Sequence, residues 1–177
     1  MQAAKALQQG GVIAYPTEAV YGLGCDPANP QAVQRLLQFK QRDWGKGLIL
    51  IAAEIDQLAP YLAEIDGPLK ERVLATWPGP VTWLWPAKPG VSKLVRGQHD
   101  TIAVRVTAHP LAAELCTIFG GALVSTSANL SGNPPARNPE QVHAQFNNNL
   151  DYVLEGEVGG LAEPSQIRDV LSGRVLR

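Results

Sequence analysis

Cysteine is scarce in this 177-residue chain. The only two, Cys25 and Cys116, stand far apart and without metal-ligand spacing, which predicts reduced, buried thiols rather than a disulfide framework and suits a cytoplasmic setting. No apolar run approaches the ~20 residues of a membrane span, and Met1 to Gln9 lack the apolar stretch of a signal peptide, so neither a membrane anchor nor export is expected. An excess of one charge is also missing. Fifteen Lys+Arg against sixteen Asp+Glu leave a net charge of -1, so the field of the whole molecule draws no polyanion and any anion site has to be local. Neither a Walker A pattern nor a dinucleotide fingerprint occurs, which removes the two commonest phosphate-binding loops. The three histidines, His99, His109 and His143, share no ligand spacing and are expected at the surface or as caps, so no metal-ligand set and no catalytic triad is expected.

What is present is an ordinary globular composition, 45% hydrophobic and 18% charged, in a chain long enough for one core; it is expected to form one domain over residues 1–177. Alanines and a leucine at helical spacing predict a helix from Gln2 to Gln9, stopped by Gly10-Gly11. Val12 to Tyr15 read as a strand, followed by a loop from Thr17. Pro30 starts a helix whose apolar face leads to Lys40 near its end. The run Leu48 to Ile51 reads as a strand covered on both faces, and Glu54 to Leu62 and Pro68 to Thr76 as helices. Strands over Val81 to Trp85 and Thr101 to Val106 flank a loop from Pro86 to Gly97. A helix from Pro110 stops at Gly120-Gly121. A strand over Ala122 to Ser125 then runs into a polar loop, Thr126 to Asn138. A helix from Pro139, a strand near Tyr152 to Leu154, a glycine-rich turn and a hairpin at Ser172-Gly173 complete the pattern. The expected fold class is α/β: a twisted sheet of mixed parallel and antiparallel strands flanked by helices.

In such folds ligands sit where strands end in polar loops. Three places qualify. Pro16 to Gly24 carries a hydroxyl, a carboxylate, a phenol and two glycines (Thr17, Glu18, Tyr21, Gly22 and Gly24), a set that a plain structural turn would also contain. Lys40 to Gly47 places Lys40, Arg42 and Lys46 just before a buried strand; a solvated face explains such a run too, but cations at a strand mouth beside glycines suit phosphate oxygens. Ser125 to Gly132 offers hydroxyls and an amide that either cap the sheet edge or bind phosphate or a Mg²⁺-bound water. Trp77, Trp83 and Trp85 fall at a break and in a strand and are expected in the core rather than stacked on bases.

Together these segments resemble the YrdC/TsaC family of threonylcarbamoyl-AMP synthases, in its short, single-domain bacterial form. The residues that carry the resemblance are Tyr15 to Gly22, Lys40-Gln41-Arg42 with Lys46-Gly47-Leu48, Trp77 to Thr82, Ala103 to Val106, Ser125 to Asn129 and Pro164 to Asp169, in order along nearly the whole chain. The resemblance implies a YrdC-like fold with an open, concave, locally basic cleft. It also implies synthesis of threonylcarbamoyl-adenylate from L-threonine, bicarbonate and ATP with release of pyrophosphate, for modification of adenosine 37 in tRNA, with Mg²⁺ on the phosphates. By the same resemblance Lys40 and Arg42 hold the phosphates as the catalytic pair, with Ser127, Asn129 and Lys46 in the ATP site and Thr101, Arg137 and Arg177 also touching nucleotide. Arg105 pairs with the threonine carboxylate, and Thr17, Tyr21, Ser125 and Ser165 line the amino-acid pocket. Partners would be tRNA-modification proteins that receive the adenylate, with weak tRNA or double-stranded RNA binding and no membrane. Where many members carry Pro or Asn-Pro before the strand that follows Lys40-Gln41-Arg42 this chain has Lys46-Gly47, and the extra C-terminal domain of longer members is not expected after Arg177.

Two other readings stay open on the sequence. One is an RNA-binding module using the same local basic surface without catalysis, against which the near-neutral charge argues. The other is a carbamoyl transferase of the hydrogenase-maturation kind, which would need companion domains.

Overall fold

Three helices begin with the same local device. Asn29, His109 and Asn138 each cap a helix with a side-chain acceptor, and each is followed by a proline whose missing N–H costs nothing at that position. They open α2 (Pro30–Lys40), α5 (Pro110–Phe119) and α6 (Pro139–Phe146). α2 ends where Gln41 turns left-handed at φ 48, so Lys40 stands in its last turn. In the computed structural model, which describes residues 1–177, the other helices are α1 (Gln2–Gln8), α3 (Gly67–Leu74) and the single turn α4 (Lys93–Arg96).

Eight strands form the sheet: β1 (Ile13–Pro16), β2 (Tyr21–Gly24), β3 (Ile49–Ala52), β4 (Val81–Pro86), β5 (Thr101–Val106), β6 (Leu123–Ser127), β7 (Tyr152–Val153) and β8 (Gln166–Asp169). Their order is β7-β1-β2-β6-β3-β5-β4-β8. The β3–β5, β1–β7 and β4–β8 pairs are parallel and the other four antiparallel, so the sheet is mixed as expected.

The two faces carry different loads. On one, Leu50, Val104, Val124, Leu23 and Trp83 pack with Val33 and Leu36 of α2 and Val142 and Phe146 of α6 in the larger core. On the other, Ile13, Tyr15, Ile51 and Leu123 pack against Ala3, Ala4 and Leu7 of α1 and Ala112, Leu115 and Cys116 of α5. Because side chains alternate and Ile49 pairs with Ser125 while Ile51 pairs with Leu123, Ile49 and Ser125 share this second face, beyond the buried Ile51–Leu123 pair. That part of the face floors a cavity.

Four elements differ from the sequence reading. Tyr21–Gly24 is a strand rather than loop: Gly24 has no side chain to keep it off Tyr15, whose ring lies where a Cβ would be. Glu54 to Leu62 holds only a 3-10 turn, Ile55–Leu58, since Pro60 cannot donate to a continuing helix. The stretch from Pro86 to Gly97 contains α4, capped by the Ser92 hydroxyl. β6 runs on to Ser127, its last residues polar because they face the cavity. Both cysteines are free and buried, Trp83 and Trp85 lie in the core, and an isolated bridge from Arg168 to Val175 closes the terminal hairpin.

A methyl group at Gly24 would sit 2.5 Å from both the Tyr15 ring and the Val124 carbonyl, neither of which has room to move. Gly24→Ala is expected to destabilise the protein by about 1–3 kcal/mol, read as a lower urea midpoint with unchanged slope.

Candidate active site

The turn that joins β1 to β2 sets the site. Thr17 folds it, its amide and hydroxyl both donating to the Val20 carbonyl at 3.1 and 2.7 Å. This throws the Glu18 side chain across to the end of β5. There Glu18 Oε2 accepts from Arg105 Nη1 at 2.6 Å, and Oε1 accepts from Thr107 Oγ1 at 2.5 Å, Ala108 N at 2.8 Å and His109 N at 3.2 Å. The pair is nearly dry, with side chains 7% (Arg105) and 13% (Glu18) exposed. Burial alone would push the Glu18 carboxyl up. The Arg105 cation and the hydrogen bonds from Thr107 and Arg105 outweigh it and hold the carboxyl below its ordinary 4.5. Arg105 Nε is buried and meets no acceptor.

Around this pair lies a cavity of about 370 Å³, a size that suits a small-molecule site. Gly22, Ile49, Ser125 and Ser127 form its floor, with Arg42, Arg137, Ser165 and Arg177 around it. Three of its arginines are fixed by neutral carbonyls: Arg42 on Gly47 O, Arg137 on Ala19 O and Ala162 O, and Arg177 on Ser165 O. A carbonyl orients a guanidinium without cancelling its charge, so these three arginines stay unpaired by any carboxylate. Ser165 is tied down by the fully buried Thr82, hydroxyl to hydroxyl at 2.9 Å.

Lys40 stands one layer behind. Its Nζ donates to Asn129 Oδ1 at 2.6 Å and to the carbonyls of Ser127 and Asn129 at 2.8 and 3.0 Å, while the Ser127 hydroxyl donates to Asn129 Oδ1 at 2.7 Å. The ammonium thus clips the end of β6 to the end of α2. Burial, and then the neighbouring Arg42, push its pKa down to about 8.

Of the residues expected from sequence, Thr17, Tyr21, Arg42, Arg105, Ser125, Ser127, Arg137, Ser165 and Arg177 line this one cavity, and Lys40 and Asn129 support its rim through Ser127. The Tyr21 hydroxyl is spent on Gly156, donating to its carbonyl at 2.6 Å and accepting from its amide at 3.0 Å. Lys46 is exposed in the turn Trp44–Lys46 and does not line the cavity. Thr101 opens β5, four residues and roughly 13 Å from Arg105, also outside the lining. Sequence reasoning gave Glu18 no role, although a carboxylate just past a strand end was a usable signal. Leu161 and Glu163 also line the cavity, from a stretch without periodicity or motif.

The Sua5/YciO/YrdC family model, described as telomere recombination, matches residues 5–177. The chain belongs to this family. Two relatives, both named threonylcarbamoyl-AMP synthase, come from Methylococcus capsulatus, 54% identical over 99% of this chain and 94% of the relative, and from Nitrosococcus oceani, 55% identical over 99% and 95%. Among solved structures, P. abyssi Sua5 complexed with L-threonine superposes with a TM-score of 0.92 at 30% identity, covering 99% of this chain; the chain spans about half, 52%, of that protein. Membership in the Sua5/YciO/YrdC family gives the shared fold a context but leaves the chemistry of this cavity to its own residues.

The Glu18–Arg105 pair supplies a stability test. Arg105→Ala strands a buried carboxylate and is expected to cost about 3–5 kcal/mol near neutral pH. In the wild type the stability contributed by Glu18 is fully present above the ordinary carboxyl value and is lost as pH falls through the lowered folded value. Carboxyl-detected NMR titration is expected to show the Glu18 pKa moving up in Arg105→Ala; an unmoved value would mean that Thr107 and the backbone amides, not the cation, hold it down.

Proposed function

We propose that this chain is a threonylcarbamoyl-AMP synthase, using L-threonine, bicarbonate and MgATP and releasing pyrophosphate. The observation that carries the proposal is the division of charge in the cavity. Arginines held by carbonyls keep their charge for a triphosphate, while the neutralised Arg105–Glu18 pair, with donors to spare, suits the carboxylate of an amino acid. The names of the relatives at 54% and 55% identity agree with it.

In this reading the threonine amine and bicarbonate condense to a carbamate with loss of water. A carbamate oxygen then attacks the α-phosphorus, and the bond from that phosphorus to the bridging oxygen breaks, the electron pair leaving with pyrophosphate. No protein nucleophile is needed, so the residues act by placement and by stabilising charge. Arg42 takes the phosphates, with Lys40 behind it gathered with Ser127 and Asn129; Arg137 and Arg177 close on the nucleotide, and Lys46 and Thr101 serve its outer parts. Arg105, Thr17, Ser125 and Ser165 receive the amino acid, with Tyr21 as packing and as the anchor of Gly156. Mg²⁺ arrives with the nucleotide as part of the substrate.

The mixed anhydride produced is labile in water, which calls for tRNA-modification proteins that take it on to adenosine 37 of tRNA. No helix is long and apolar enough to cross a membrane, and reduced cysteines agree with a cytoplasmic enzyme. The eight strands join in one sheet, which supports reading residues 1–177 as one domain.

Pyrophosphate release from MgATP is expected to require both L-threonine and bicarbonate, and Arg42→Ala is expected to lower it by about 10²–10³-fold. No release under any combination, with retained binding of duplex RNA at moderate salt, would replace this reading with the RNA-binding one. Lys40 offers a second check. Its lowered pKa leaves it about half deprotonated near pH 8, and a bound triphosphate favours the charged form, so nucleotide binding at that pH is expected to take up roughly half a proton. Calorimetry in two buffers of different ionisation enthalpy measures this, and Lys40→Ala is expected to abolish it.

A further inference from the structure

We propose that Glu18 is a positioning residue for the amino-acid carboxylate: by holding Nη1 of Arg105 it leaves the other fork of the guanidinium, Nε with Nη2, as the one offered to the ligand. This rests on the synthase reading above. The chemistry of the side chain carries it. A guanidinium binds a carboxylate through two parallel N–H donors, and Nε and Nη2 form one such fork while Nη1 points away from Nε. Glu18 takes Nη1 at 2.6 Å and is the sole protein acceptor that Arg105 meets, so the Nε–Nη2 fork is unclaimed.

Two further features separate positioning from mere charge balance. Glu18 is itself immobilised, since three donors from Thr107, Ala108 and His109 converge on the oxygen that Arg105 does not use. A counterion needs proximity only, whereas this carboxylate is fixed in direction by the loop between β5 and α5. The buried Nε without an acceptor is the second feature, because an unsatisfied buried donor costs free energy that an incoming carboxylate oxygen recovers. Arg105 and Glu18 both line the cavity, which puts the pair within reach of its ligand.

The test is calorimetric binding of L-threonine, of L-threoninol (which lacks the carboxylate) and of MgATP to the full chain, for wild type, Glu18→Gln and Thr107→Val. Losing the fixed fork is expected to weaken L-threonine binding by at least about tenfold in Glu18→Gln and by about threefold in Thr107→Val, with L-threoninol and MgATP changed less than about twofold. If Glu18 were only a counterion, the variants would lower the fraction of folded, binding-competent protein while the remaining sites bound threonine with wild-type affinity; that result overturns the proposal. Thr107→Val keeps the ion pair and nearly the same shape, so it decides the matter if Glu18→Gln fails to fold. Wild-type protein that binds no L-threonine would bring down the synthase reading and this inference with it, whereas wild-type binding with unaltered variants brings down this inference alone.

Discussion

The buried ion pair between Glu18 and Arg105 is the constraint on which the site depends. Taking both charges out of water costs several kcal/mol each, and their attraction offsets this only if the remaining lone pairs and protons are also met. Glu18 fulfils that condition on its side: every contact converges on it from the end of β5 and the residues just before α5. The amides of Ala108 and His109 also belong to the start of α5, where the helix dipole favours a negative charge. Arg105 does not fulfil it, because its Nε is left over. The asymmetry is informative, since a purely structural ion pair gains nothing from a half-satisfied partner, and a binding site does.

The same turn that delivers Glu18 also holds the cavity's far wall. Gly159 N donates to Thr17 O and Leu161 N to Glu18 O, while Arg137 joins Ala19 O to Ala162 O. Gly159 has no alternative at this contact: a Cβ there would lie 2.5 Å from the Glu18 carbonyl. His109 closes the circuit, accepting from Ala112 N as the cap of α5 and meeting the Glu157 carbonyl with its other ring nitrogen. Residues 156–163 are thus stitched to residues 17–21 although more than 130 positions separate them. Any shift of the β1–β2 turn moves both Arg105, through Glu18, and the segment 159–161 bonded to the turn.

This arrangement explains which parts were legible in the sequence. Local signals reported local facts: proline at a helix start marked α2, α5 and α6, and short apolar runs marked β1, β3 and β5. The polar residues Thr17 and Ser125 to Ser127, at and just past strand ends, pointed to the cavity because a hydroxyl costs free energy where it is buried without a hydrogen-bond partner. β2 escaped because Gly22 and Gly24 read as turn residues, while their use here is to let Tyr15 and Ser125 approach closely. Leu161, Glu163 and the role of Glu18 escaped for a different reason. Their meaning lies in contacts across the chain, which no periodicity encodes. Lys46 and Thr101 show the converse, since proximity in sequence to a site motif, or membership of a site strand, did not bring them into the cavity lining.

The four arginines around the cavity are not equivalent, and the difference follows from what holds each one. Carbonyl groups hold Arg42, Arg137 and Arg177, restricting their rotamers in advance while leaving each with its full positive charge. Fixed charges of this kind need no reorganisation when an anion arrives, which is where preorganised electrostatics gain their advantage over water. A polyphosphate, and the charge that moves onto a departing pyrophosphate, call for that arrangement. A single carboxylate calls for less charge and more direction, and a fourth unneutralised arginine would hold any anion in its place. Pairing Arg105 with Glu18 removes the excess charge and retains the directional donors. On the proposed function, one cavity would distinguish a polyphosphate from a carboxylate by how its arginines are anchored rather than by how many it has.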